Sequence, residues 1–154
     1  KELGTRAERV QLRNVIKKMA NPMIDSNHGC KRYMLDMDYA PWLYDYLRDQ
    51  NLGVIEAWVN VNEPGSRNEL HCHEKCQYTA VYFLTAPANS GQLVLKNPAN
   101  VSNQCHPEAP NVQDILVEPL EGAIIVFPGW VPHEVWINSS EEDRISIAFN
   151  LSVL

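Results

Sequence analysis

Two histidines one residue apart, His71 and His73, stand directly ahead of a β-prone run in the stretch NELHCHEKCQYTAVYFL. On an extended strand, residues i and i+2 point to the same face, so both imidazoles reach one metal ion. A single strand cannot close a metal site. The chain offers a third histidine far downstream, His133 in FPGWVPHEVWIN, and eleven residues later Arg144 in EEDRISIAFNL. A chain that uses all four must fold so that strands distant in sequence lie side by side. Two close ligands, one distant ligand and a distant arginine specify a metal site with an anion clamp beside it.

The plain alternatives are weaker. Only 5 of 154 residues are histidine, so a chance His-x-His matched by a fitting downstream His is improbable. His133 could be a core histidine satisfied by a backbone carbonyl. Arg144 could be a solvated edge charge paired with Glu141 or Glu142, a contact worth about 0–1 kcal/mol. Its planar fork suits a carboxylate better than a point charge would. Cys72 and Cys76 flank His73, so HCHEKC could be read as a zinc cluster, but no second Cys pair lies at finger spacing. His28 and His106 fall in loop-like sequence.

Around this constellation the chain reads as one domain, residues 1–154, with a helical support region over 1–50 and a β core over 53–152. Residues 5–20 have helical spacing, with Val10, Leu12, Val15, Ile16 and Met19 as the apolar stripe. Residues 24–35 read as loop and irregular strand. Residues 39–50 form a second helix, with Pro41 in its first turn. Strands follow at 54–62, at His71/His73, and at 78–85, 92–96, 115–118, 123–127, 133–137 and 144–152. Asn97 to Asn111 is a long Asn- and Pro-rich loop, a candidate lid over a site. Two helices followed by seven or eight short antiparallel strands imply a mainly β jelly roll of cupin-like form, with both helices on one sheet.

Composition narrows the function classes. A net charge of −6 argues against a broad nucleic-acid surface. No apolar run is long enough to span a bilayer. The 4 cysteines are too few for a stapled scaffold, so reduced thiols in a cytoplasmic protein are expected. Oligomeric state stays open, a homodimer being one option.

The runs WVNVNEPGSRNELHCH, YTAVYFLTAP, GQLVLKNP and EPLEGAIIVFPGWVPHEVWINSSEEDRISIAFNL, with SNHGCKRYMLDM upstream, resemble the iron(II)/2-oxoglutarate-dependent oxygenases of marine bacteria and phages. The likeness covers roughly residues 25–152 and implies a double-stranded β-helix fold. It also implies Fe(II), 2-oxoglutarate as co-substrate and O2. The reaction would be a dioxygenase cycle, in most cases hydroxylation of a primary substrate, with 2-oxoglutarate converted to succinate. In that superfamily a His-x-acid pair and a distant His hold the iron, and a basic residue about ten positions further on takes the far carboxylate of 2-oxoglutarate. By that resemblance His71 and His133 are metal ligands, Arg144 is the basic residue, and Ser146 shares the carboxylate in an Arg-x-Ser pattern. Tyr82 is the leading further candidate for a hydrogen bond to 2-oxoglutarate, followed by Thr79 and Asn60, with Tyr78 and Asn150 behind them; for any single one of Tyr82, Tyr78 and Thr79, core packing is the favoured role. Trp58, Trp130 and Trp136 are core or cleft-wall residues.

One position departs from the pattern: the usual acid falls at His73. A set of three histidines is workable for Fe(II) but is not the usual facial triad. Glu74 is the alternative ligand if the strand bulges. A rival reading keeps the fold and drops the co-substrate. His71-x-His73 and the spacing Gly122-x5-Pro128-x4-His133 resemble cupin motifs, although the usual cupin Glu falls near Gln77. A three-His cupin enzyme does not need Arg144. A non-catalytic jelly-roll binding module is the third reading.

Overall fold

The computed structural model describes residues 2–23, 29–98 and 113–154. His28, Cys105, His106 and most of the expected Asn97–Asn111 lid lie outside the described residues. Among the described residues the order is α1 (Arg6–Lys17), β1 (Cys30–Met34), a short 3-10 turn (Met37–Tyr39), α2 (Pro41–Asp49), then eight more strands. These are β2 (Leu52–Asn62), β3 (Asn68–His71), β4 (Tyr78–Thr85), β5 (Leu93–Leu95), β6 (Ile115–Val117), β7 (Ile124–Pro128), β8 (His133–Val135) and β9 (Arg144–Val153).

Local sequence sets the helix starts. Thr5 and Glu8 form a reciprocal capping box that satisfies orphan N–H groups at the start of α1. Pro41 opens α2, where its missing N–H is no loss. Each helix turns two apolar residues inward, Leu12 and Ile16 from α1 and Leu43 and Leu47 from α2. They pack on one face of a five-stranded antiparallel sheet of order β1-β2-β9-β4-β7. A second sheet of order β3-β8-β5-β6 covers the other face. This is the expected jelly roll with both helices on one sheet.

Period-2 alternation divides the long strands cleanly. On β9, Ile145, Ile147, Phe149 and Leu151 join the core under the helices, while Arg144, Ser146 and Ala148 line the space between the sheets. On β2, Ala57, Val59 and Val61 face the helices and Asn60 faces inward. Between the sheets, Val81 and Phe83 meet Leu93, Leu95, Phe127 and Val135 in a smaller apolar cluster.

The structure differs from expectation in two places. The stretch read as irregular contains a regular strand, β1, which pairs with β2 from Cys30↔Asn62 to Met34↔Trp58. The helical support region therefore includes one edge of the major sheet. In addition, β3 ends at His71, so His73 lies beyond the regular strand. Among the described residues no helix is long and apolar enough to cross a membrane, and none of Cys30, Cys72 and Cys76 is in a disulfide.

Candidate metal centre

Antiparallel pairing of β3 with β8 sets His71 directly opposite His133. Their ring centroids lie 4.3 Å apart. His73 reaches the same point from the segment after β3, held because its N–H donates to the Gly129 carbonyl at 2.8 Å. Gly129 matters sterically. A Cβ there would sit 2.7 Å from the Cys76 carbonyl oxygen and 3.0 Å from that of His73, so only glycine lets these two turns lie together. The potential ligand atoms of the three histidines all lie within 4.8 Å of one another.

Two of the rings are already oriented. Nδ1 of His71 lies 2.7 Å from the Glu69 carbonyl, and Nδ1 of His133 lies 2.9 Å from that of Val131. A carbonyl only accepts, so each Nδ1 carries the proton and each Nε2 keeps its lone pair for a metal. His73 packs against the Trp58 ring at 5.6 Å between centroids. Burial, with His133, His71 and Arg32 adding repulsion, holds His73 down to about 4. Burial, aided by His71, holds His133 down to about 4 against the opposing effect of the hydrogen bond it donates to the Val131 carbonyl. Both are neutral at pH 7, the form that ligates.

Arg144 lines the same cavity and is 1% exposed. Its Nη1 donates to the Gly91 carbonyl at 3.3 Å, its guanidinium lies 5.5 Å from the Phe83 ring, and its Nε is buried without a partner. Burial pushes its pKa down to about 10, so it stays charged at neutral pH. Among the described residues no carboxylate pairs with it, which removes the expected alternative of an ion pair with Glu141 or Glu142. A buried charge without a counter-charge is costly unless a ligand supplies one.

Other candidates divide by strand face. Ser146, Asn60 and Thr79 line the cavity. The Thr79 hydroxyl already donates to the Phe149 carbonyl at 2.8 Å, and the Asn60 carbonyl oxygen accepts from Arg32 Nε at 3.3 Å. Tyr82 is a correction. It lies on the opposite face of β4, in the core under the helices, with its ring against Trp42 and its hydroxyl donating to the Leu3 carbonyl at 2.8 Å. It cannot reach a ligand between the sheets. Glu74 is exposed and outside the cluster, and the ladder irregularity falls between Asn68 and His71, upstream of His73 and Glu74. Cys72 and Cys76 also stay out of the cluster. Asn150 is engaged with Glu56 and Cys76, and Tyr78 is exposed.

Sequence reasoning missed Asn68. Regular alternation places it on the face opposite His71. The bulge between them turns both inward, and Asn68 lines the cavity while accepting from Asn62 Nδ2 at 2.7 Å. Arg32 was also missed. It belongs to β1 and lies over the Trp58 ring at 5.5 Å, close enough to His73 to repel its protonated form.

The family described as "Putative 2OG-Fe(II) oxygenase" matches residues 56–150. No curated protein sequence matches the chain. The fold is similar to that of a Pseudomonas putida prolyl-4-hydroxylase, with a TM-score of 0.68, 22% identity, and 95% of this chain and 84% of that one covered. It is also similar to HygX from Streptomyces hygroscopicus, solved with nickel and 2-oxoglutarate bound: TM-score 0.66, 13% identity, 96% and 79% covered. A viral collagen prolyl hydroxylase from Paramecium Bursaria Chlorella virus-1, solved as a 2-oxoglutarate complex, gives a TM-score of 0.63 at 16% identity, with 97% and 92% covered.

Proposed function

The chain belongs to the 2OG-Fe(II) oxygenase family, and from that premise we propose that it is an Fe(II)- and 2-oxoglutarate-dependent dioxygenase, a hydroxylase in its simplest form. The single observation that carries the reading is Arg144. A buried guanidinium without an acidic partner shares one cavity with three converging histidines.

In this reading His71, His73 and His133 hold the metal through their ring nitrogens. The donor set fits a divalent first-row transition metal. Hydrogen bonds donated by Nδ1 of His71 and His133 to the Glu69 and Val131 carbonyls fix two of the rings, so little rotamer freedom is lost on binding. Arg144, with Ser146 two residues along β9 on the same face, takes the far carboxylate of 2-oxoglutarate. When bound, Fe(II) would supply activation of O2, the oxidant, with 2-oxoglutarate as the electron-donating co-substrate that is oxidatively decarboxylated to succinate and CO2. The protein's own part is orientation and exclusion of water. The cavity is about 30 Å³, room for one or two waters.

The three-His cupin reading fits less well. The position of its usual Glu is Gln77, whose side chain accepts from the Val153 N–H at 2.8 Å rather than facing the metal site. That reading also leaves Arg144 buried with nothing to bind.

Anaerobic reconstitution with Fe(II), followed by titration with 2-oxoglutarate, tests the proposal. A visible metal-to-ligand charge-transfer band is expected in wild type and is expected to weaken in Arg144→Ala. Metal bound without any such band would move the protein to the cupin or binding-module class.

A further inference from the structure

The described lining of the cavity contains no acid. Among the described residues that line it, Arg144 carries the fixed charge, and the other polar residues are histidine, asparagine, serine and threonine. Ligating imidazoles are neutral. A divalent metal brings two positive charges into this space, and Arg144, 1% exposed, adds a third. A carboxylate at position 73 would cancel one of them, but the residue there is histidine. Like charges in a poorly solvated space repel strongly, because little water screens them.

We propose that His73 leaves this centre one negative charge short, so that metal and dicarboxylate bind as a coupled pair, with Arg144 opposing the metal alone and favouring it once the dicarboxylate spans the two. The inference rests on the proposed function and deepens it. One carboxylate of the bridging molecule neutralises charge at the metal, and the other neutralises Arg144. Each partner then raises the affinity of the other by the same factor, since binding linkage is reciprocal. A carboxylate-containing centre shows weaker coupling, because part of the metal's charge is already met.

Zn(II) affinity, measured by chelator competition with and without saturating 2-oxoglutarate, tests this without turnover. The ratio of the two affinities is the coupling factor. Wild type is compared with His73→Asp and His73→Asn, which are nearly the same shape and differ in charge. The coupling factor is expected to be at least tenfold larger in wild type than in His73→Asp, with His73→Asn staying near wild type. Arg144→Gln is expected to bind Zn(II) alone more tightly than wild type and to lose most of the enhancement. Circular dichroism of each variant checks that it is folded, and the Asp/Asn pair carries the test if Arg144→Gln does not fold. Equal coupling factors in the Asp and Asn variants would overturn the inference, as would Zn(II) binding to folded Arg144→Gln that is no tighter than in wild type. Direct titration of Zn-loaded wild type with 2-oxoglutarate separates the two levels. No binding there defeats the proposed function, whereas binding with equal coupling factors defeats only this inference.

Discussion

The two faces of the major sheet are made from the same strands, yet they do opposite work. Along β9 the residues alternate. Ile145, Ile147, Phe149 and Leu151 pack under α1 and α2, while Arg144 and Ser146 face the space between the sheets. Both sets are buried. The helix-facing side is apolar, and the Tyr82 hydroxyl within it donates to the Leu3 carbonyl. The inner side keeps the orphaned Nε of Arg144, and two imidazoles near it are held in the neutral form by burial. A sheet can thus spend one face on stability and hold the other ready for a ligand. Proximity in sequence says nothing about which role a residue has, since adjacent residues on β9 belong to different faces.

Truncation should separate the faces. Phe149→Ala opens a cavity under the helices and is expected to lower unfolding free energy by about 3–5 kcal/mol, as read by urea denaturation. Metal affinity of the folded fraction should change less than twofold. Arg144→Met on the inner face is expected to behave in reverse. Replacing a buried charge that has no counter-charge should leave metal-free stability unchanged or raise it by about 1–4 kcal/mol, while 2-oxoglutarate binding is lost in calorimetry.

Acid distinguishes the faces as well. His73 and His133 are each held down from 6.5 to about 4, chiefly by burial. The unfolded chain takes up those protons near pH 6.5, before the folded chain does. Stability of the metal-free protein is therefore full above that value and is lost as pH falls from about 6.5 to about 4. Urea midpoints across that window check the claim, and replacing His73 with Phe should flatten part of the slope. The smallest effect is expected furthest from the site. Thr5→Ala removes the capping box of α1 and should cost about 1 kcal/mol, with metal affinity unchanged by chelator competition.

Much of this comparison was legible in the sequence, for a physical reason. Strand β9 sits between an apolar layer and a polar cavity, so its alternation is written out in RISIAFNL, and Arg144 and Ser146 fall on one face by counting. The adjacency of His71 and His133 was readable because it is what a shared metal ion would require of two distant strands, and β3 and β8 pair with these residues opposite one another. Tyr82 was misplaced because β4 is covered on both faces. Its run YTAVYFLT has no polar alternation to fix which parity points inward, and the turn after His73 breaks any count carried from the ligands. Asn68 was hidden by a bulge that no local residue announces. Arg32 was hidden because β1 joins the sheet through pairing with β2, a long-range contact invisible to local pattern.

The central claim is that the three histidines and Arg144 form one site holding a metal and a dicarboxylate together. A crystal structure of the protein with Mn(II) and 2-oxoglutarate, grown without oxygen, tests it most directly. The account predicts an anomalous peak bounded by His71, His73 and His133, with the far carboxylate of 2-oxoglutarate on Arg144 and Ser146. Manganese elsewhere, or a dicarboxylate that leaves Arg144 without an anion, would contradict it.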